Sequence, residues 1–152
     1  MEKEKLKALI KRYEDVHIFA LRQVSSIVAE KLPENMTMEQ YNVLRSLKQR
    51  GKCRSSELAD ICGVNRSAIT AMVARLVAKN YVKRVQDEQD RRSIWLTTTS
   101  KGDEVYEQGE GAIEQMVASY LQELDDEEVE TFIHTYEKIT TIIKRMHGEE
   151  QL

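Results

Sequence analysis

Residues 84 to 102, Arg-Val-Gln-Asp-Glu-Gln-Asp-Arg-Arg-Ser-Ile-Trp-Leu-Thr-Thr-Thr-Ser-Lys-Gly, constrain the fold of this chain more than any other stretch. Two short runs rich in β-branched and aromatic residues, Tyr81 to Gln86 and Ser93 to Thr97, flank a charged tip, Asp87-Glu88-Gln89-Asp90-Arg91-Arg92. Such runs favour strands, and the polar tip between them closes a hairpin. Its exposed end carries two adjacent guanidinium groups. Just upstream, Ser55 to Lys79 reads as two helices joined by a tight turn. Helix, turn, helix and basic hairpin, in that order, suit the reading of double-stranded DNA.

The helix-turn-helix reading rests on packing chemistry. Ser55 is a candidate N-cap for a short helix with Leu58, Ala59 and Ile61 as apolar positions, and the small Ala59 lets a second helix cross closely. Gly63 falls where a helix ends in a left-handed residue, which glycine adopts without steric cost. Val64 can plug the gap between the helices, and Asn65 can cap the next one. From there Ile69, Met72, Val73 and Leu76 recur at helical spacing as a buried stripe. The opposite face offers Arg66, Ser67, Thr70, Ala71 and Arg75. Small polar residues near the start of such a helix suit major-groove base edges, and arginines suit guanine edges or phosphates. Arg54, just ahead of the motif, joins the expected DNA contacts.

Charge is distributed to match. The 152-residue chain has a net charge of −3, which alone would argue against nucleic acid. Between Arg45 and Lys101, however, 13 Lys and Arg stand against 5 Asp and Glu, a local balance of +8. The other residues carry 10 basic against 21 acidic groups, or −11. A basic middle in an acidic frame is the footprint of a phosphate-binding module on a separate scaffold. A module serving RNA or a protein partner stays open as an alternative. The capped helix with Ser67, Thr70 and Arg75, together with the arginine pair of the hairpin, favours duplex DNA.

The scaffold lies at the two ends. Glu2 to Lys31 forms one proline-free helical run with Leu6, Leu9, Ile10, Tyr13, His17, Ala20, Val24, Ile27 and Val28 along a stripe. About thirty helical residues span roughly 45 Å. Val16, Ile18, Phe19 and Leu21 add apolar surface off that stripe. Pro33 stops the run, and Thr37-Met-Glu-Gln40 is a capping box opening a helix with Tyr41, Val43, Leu44 and Leu47. At the other end, Thr99 to Leu124 and Asp126 to about Met146 read as two helices, with Asp125 or Asp126 as the cap between them. The last repeats as a heptad: Val129, Phe132, Tyr136, Ile139, Ile143 and Met146. That seam and the long first helix favour a homodimer built from the two ends.

In its order of helices, its Asp-x-x-Asp-Arg-Arg wing and its Thr99-Ser-Lys-Gly102 helix start, the chain resembles the multiple-antibiotic-resistance regulator (MarR) family over nearly its whole length. The resemblance is strongest from Leu58 to Gly102. It implies a mainly α fold with a small β-hairpin, a winged helix-turn-helix with long terminal dimerisation helices. It also implies a homodimeric transcriptional regulator, a repressor more often than an activator, that binds a pseudo-palindromic operator. One domain would cover 1–152, with 37–99 as the DNA-binding lobe and 1–36 and 100–152 as the helical dimerisation region. The resemblance places Arg92 in the minor groove, with Arg91 beside it, and makes Asp90 a support for the wing. Gln89 stands where a basic residue is frequent, and Thr98 where leucine usually precedes the helix-starting threonine, a loss of wing packing that Trp95 could offset. Family members commonly bind a small, often aromatic or phenolic ligand in a crevice between dimer helices and DNA-binding lobe. Here His17, Arg22 and Tyr41 are the polar candidates, with Phe19 and Met38 as apolar neighbours.

Other chemistry finds little support. Cys53 and Cys62 lack zinc-finger spacing, and the expected cytoplasmic setting argues against a structural disulfide. Cys53, among Arg50, Lys52 and Arg54, is the better candidate for a thiol-based redox response, although an inert role is favoured for both. His17, His134 and His147 are dispersed, so no metal or other cofactor is expected. No nucleophile–base pair, phosphate loop or paired carboxylates suggests an enzyme. No apolar run approaches the roughly 18 residues that span a bilayer, and the N-terminus lacks a signal-peptide pattern, so no membrane partner is expected. Gly109 and Gly111, within a helical stretch, mark either a close helix contact or a bend.

Overall fold

The computed structural model describes residues 2–146 and residue 148; His147 lies outside them. Eight elements follow in order: α1 (Lys3–Lys31), α2 (Met38–Arg50), α3 (Ser55–Cys62), α4 (Arg66–Ala78), β1 (Val82–Gln86), β2 (Ile94–Thr98), α5 (Ser100–Leu121) and α6 (Asp126–Met146). The chain divides into two compact units, Met1–Ile113 and Glu114–Leu152, with the boundary inside α5.

In the first unit, caps set the element boundaries. Gln40 N–H donates to Thr37 Oγ1 at 3.2 Å, and Thr37 N–H donates to Gln40 Oε1 at 3.4 Å, closing the expected capping box of α2. Gly63 takes the left-handed conformation (φ 64°, ψ 30°) that ends α3. Asn65 Oδ1 accepts from Ala68 N–H at 2.8 Å and so caps α4. The three-residue turn between α3 and α4 bends the chain by 110°, within the range of about 90–120° for a helix-turn-helix. The cap of α3 is corrected: Arg54, not Ser55, is the flanking residue, and its N–H donates to Glu57 Oε2 at 2.6 Å.

The core of this unit gathers around α2. Tyr41, Val43, Leu44 and Leu47 are buried with Leu58, Ile69, Val73 and Leu76, as their spacing requires. Val28 of α1 and Val105 of α5 also enter it. Those two explain why the compact unit is wider than the expected 37–99 lobe. Ile61, expected inside, is exposed. Gly102 and Gly109 bring α5 close: a Cβ on Gly102 would overlap the Tyr81 carbonyl oxygen, and one on Gly109 would overlap the Tyr41 phenol ring. Gly109 is therefore the close contact, while nothing crowds Gly111. Glu110, beside it, accepts from Arg45 Nε at 2.5 Å and from Tyr41 Oη at 3.2 Å.

β1 and β2 pair antiparallel, Val82 opposite Thr98 through Gln86 opposite Ile94. Both strands begin one residue later than the sequence pattern suggests. Cys53 adds a third segment. Its N–H donates to Leu96 O at 3.2 Å, and its carbonyl accepts from Leu96 N–H at 2.9 Å. Thr98 turns its polarity to use, its hydroxyl donating to Asp103 Oδ1 at 2.5 Å.

The second unit holds the end of α5 and α6. Asp125 is the cap: its Oδ1 accepts from Glu128 N–H at 2.8 Å, and its own N–H donates to Glu128 Oε2 at 3.1 Å. No side chain of α6 is buried. Among the described residues, no single helix is long and apolar enough to cross a membrane.

Candidate nucleic-acid interface

The face of α4 opposite its buried stripe is made of small side chains edged by cations. Arg66, Ser67, Thr70, Ala71, Ala74 and Arg75 are all exposed. Ala74, at 100° per residue, projects between Thr70 and Ser67 and so belongs to the same face. Small groups at the centre of the face let the helix approach a groove floor closely. The hydroxyls are oriented. Asn65 Oδ1 is the acceptor for Ala68 N–H, so Ser67 Oγ must donate to it, at 2.8 Å. Thr70 Oγ1 donates to Arg66 O at 2.7 Å. Both protons are committed, and both oxygens present lone pairs outward.

The wing tip is held by two carboxylates. Asp87 Oδ1 accepts from the N–H groups of Gln89 (2.8 Å) and Asp90 (3.1 Å), and its Oδ2 accepts from the Trp95 indole N–H at 2.5 Å. The indole bond first, then the two backbone bonds, holds the Asp87 carboxyl down to about 2. Asp90 Oδ1 accepts from Arg92 N–H at 3.0 Å and its Oδ2 from Ser93 Oγ at 2.9 Å. Asp90 thus supports the wing, as the resemblance implied, and Asp87, the first residue of the same motif, supports it further through its bond from Trp95. Arg91 and Arg92 stay exposed, with no acidic partner for their side chains among the described residues.

The cations sort into two groups. Arg45 pairs with Glu110, Lys48 with Asp103 at 2.9 Å, Lys79 reaches Asn35 O, and Lys101 donates to Lys79 O at 3.1 Å. Those four hold the lobe together. Arg50, Lys52, Arg54, Arg66, Arg75, Lys83, Arg84, Arg91 and Arg92 are exposed. Lys52 Nζ lies 4.9 Å and Arg54 Cζ 5.1 Å from the Trp95 ring centroid. Arg50, Lys52, Lys83, Gln86 and Trp95 share a cleft of about 740 Å³ on that side of the hairpin.

The redox alternative for Cys53 and the ligand role of Tyr41 do not fit the surroundings of those side chains. Cys53 is only 3% exposed, and burial pushes its thiol up to about 11, with the Glu57 charge adding to the shift. A thiol so rarely ionised near neutral pH does not suit a redox sensor. Its sulfur is shut into the core by the bridge to Leu96, which outweighs the cations around it in sequence. Tyr41, expected at a ligand crevice, is 1% exposed and donates its hydroxyl to Glu110; burial first, then the Glu110 carboxylate, raises its pKa. His17 stacks on Tyr13, ring centroids 5.4 Å apart. Phe19 and Arg22 are exposed on α1, and Met38 packs partly against the core. Val129 is half-buried, and Phe132, Tyr136, Ile139 and Ile143 are exposed along α6. Among the described residues no cluster of His, Cys, Asp and Glu could hold a metal ion.

Comparison with known proteins agrees with this geometry. Residues 36–94 match the model of the MarR family. The chain is 36% identical over 106 residues to the HTH-type transcriptional repressor MdtR of Bacillus subtilis, covering 70% of this chain and 68% of that one. Among solved structures, the YusO protein of Bacillus subtilis superposes with a TM-score of 0.67 at 29% identity, covering 93% of this chain and 99% of that one. A variant of MarR from E. coli complexed with operator DNA superposes with a TM-score of 0.64 at 26% identity, covering 87% and 95%.

Proposed function

The chain belongs to the MarR family of transcriptional regulators, and on that premise we propose that it represses transcription as a homodimer on a pseudo-palindromic operator in duplex DNA. The observation that carries this is the pairing, in one compact unit, of a small-residue helix face with an arginine tip whose side chains have no carboxylate partner among the described residues. Two copies place two such helices for successive major grooves, about 34–36 Å apart. Ser67 and Thr70, their protons committed, offer acceptors to the amino groups of adenine or cytosine. Arg92 enters the adjoining minor groove, Arg91 and Arg54 sit by the backbone, and Arg66 and Arg75 edge the recognition helix. Asn65 serves through its cap, which sets the start of that helix.

A small aromatic or phenolic ligand that loosens the lobes is the accompanying proposal, with His17, Phe19, Arg22 and Met38 as its remaining contacts. Tyr41 acts behind them, tying α2 to Glu110.

A gel-shift titration on the DNA flanking the protein's own gene tests the reading. Affinity should fall steeply with salt, each neutralised phosphate adding roughly −0.9 to the slope of log affinity against log salt. Binding-site selection should show Ser67→Ala and Thr70→Ala relaxing base preference within the half-site. Arg75→Ala should lower affinity evenly and shallow the slope by about one unit. A flat salt response, or binding to RNA but not to duplex DNA, overturns the proposal.

A further inference from the structure

We propose that Trp95 is a positioning residue for DNA binding, its indole N–H orienting the carboxylate that shapes the wing tip and its ring joining that tip to the segment entering α3. The proposal rests on the reading of Arg92 as a DNA contact. Four residues are linked in series. Trp95 Nε1 donates to Asp87 Oδ2 at 2.5 Å, which leaves Oδ1 aimed at the N–H groups of Gln89 and Asp90. Asp90, its backbone fixed in this way, accepts from Arg92 N–H and Ser93 Oγ. A carboxylate without the indole bond can rotate, because its two oxygens are equivalent; the indole removes that freedom.

The other end of the link is the ring. Lys52 and Arg54 lie within 4.9 and 5.1 Å of its centroid, a distance at which cations are attracted to an aromatic face. Trp95 is also the cross-strand partner of Val85, which keeps the ring on the cleft side of the hairpin. The tip is therefore shaped before DNA arrives, and less order is left to impose on binding. Trp95 does this without touching DNA.

Trp95→Phe removes the N–H and keeps an aromatic ring. Affinity for an operator duplex should be measured for the wild type, Trp95→Phe, Arg92→Ala and the double variant. Loss of a hydrogen bond to a charged acceptor should weaken binding by about tenfold when Arg92 is present. When Arg92 is already alanine, the same substitution should cost less than about twofold, because coupled residues are not additive. An equal loss in both backgrounds, or no loss in either, overturns the proposal. If Trp95→Phe melts well below the wild type, Asp87→Ala at the exposed tip replaces it in the same cycle with the same expected outcomes. A wild type that binds no duplex overturns the DNA-binding reading itself, and that failure is visible before any variant is compared.

Discussion

In α2, Tyr41, Val43, Leu44 and Leu47 are all buried, whereas in α6 no side chain is, although both helices carry a regular apolar stripe. The first unit answers the α2 stripe from within one chain, with Leu58, Ile69, Leu76 and Val82. The α6 stripe, Phe132, Tyr136, Ile139, Ile143 and Met146, stays 36–77% exposed. Much of α1 is like it, with Val16 at 69% and Phe19 at 64%. Exposed apolar stripes of this length are the kind of surface that a partner would cover. The DNA-reading lobe closes its core alone, while the terminal helices present apolar faces that the proposed second copy would cover.

The sharpest way to break this contrast is to put charge into the uncovered stripe. Phe132→Asp together with Ile139→Asp should dissociate the dimer, because each would bury an unpaired carboxylate. Operator affinity should then fall by about 10²- to 10⁴-fold, the gain that linked binding sites provide. Far-UV circular dichroism of the monomer should keep the lobe's signal. Sedimentation of an intact dimer from this variant would place the interface elsewhere.

A smaller effect sharpens the other side of the comparison. Gly109→Ala adds a Cβ where the Tyr41 ring already lies, and overpacking of this kind costs about 1–3 kcal/mol. Gly111→Ala, in open space two residues on, should instead stabilise by up to about 1 kcal/mol through helix propensity. Thermal melts of the two variants should move in opposite directions. Parallel shifts would mean that α5 does not seat on α2 through Gly109.

The smallest effect is local to the wing. The Asp87 carboxyl, held down to about 2 against an ordinary value of about 3.9, favours the folded tip wherever it is ionised. A lowered folded-state value means the contribution is complete above about pH 4 and is lost as pH falls toward 2. Asp103, lowered by Thr98 first and then by Lys48, loosens in the same direction. Trp95 is the chain's one tryptophan, so its fluorescence reports the Asp87 bond directly. Emission should change across that acid window in the wild type, before the helical signal is lost, and Asp87→Ala should show the acid-type spectrum already at neutral pH.

The features legible in the sequence are those whose partners sit three or four residues away. The Thr37–Gln40 box, Gly63 at the end of α3, the Asn65 cap and the heptad of α6 each need only local geometry, so residue type and spacing specify them. The arginine pair at the wing tip belongs with these, because a charged tip between two β-type runs has few other shapes. What only the tertiary structure decided depends on chain segments far apart meeting. Cys53 has cations beside it in sequence that leave a redox role open, but pairing with Leu96 buries it and that burial raises its pKa. Tyr41 looked available to a ligand, but Glu110, 69 residues on, takes its hydroxyl and Gly109 leaves room for its ring. Trp95 is legible in the sequence only as bulk for wing packing; the closed hairpin brings its N–H to Asp87. Burial and long-range hydrogen bonds set the chemistry of those three side chains, and neither is a property of residue spacing.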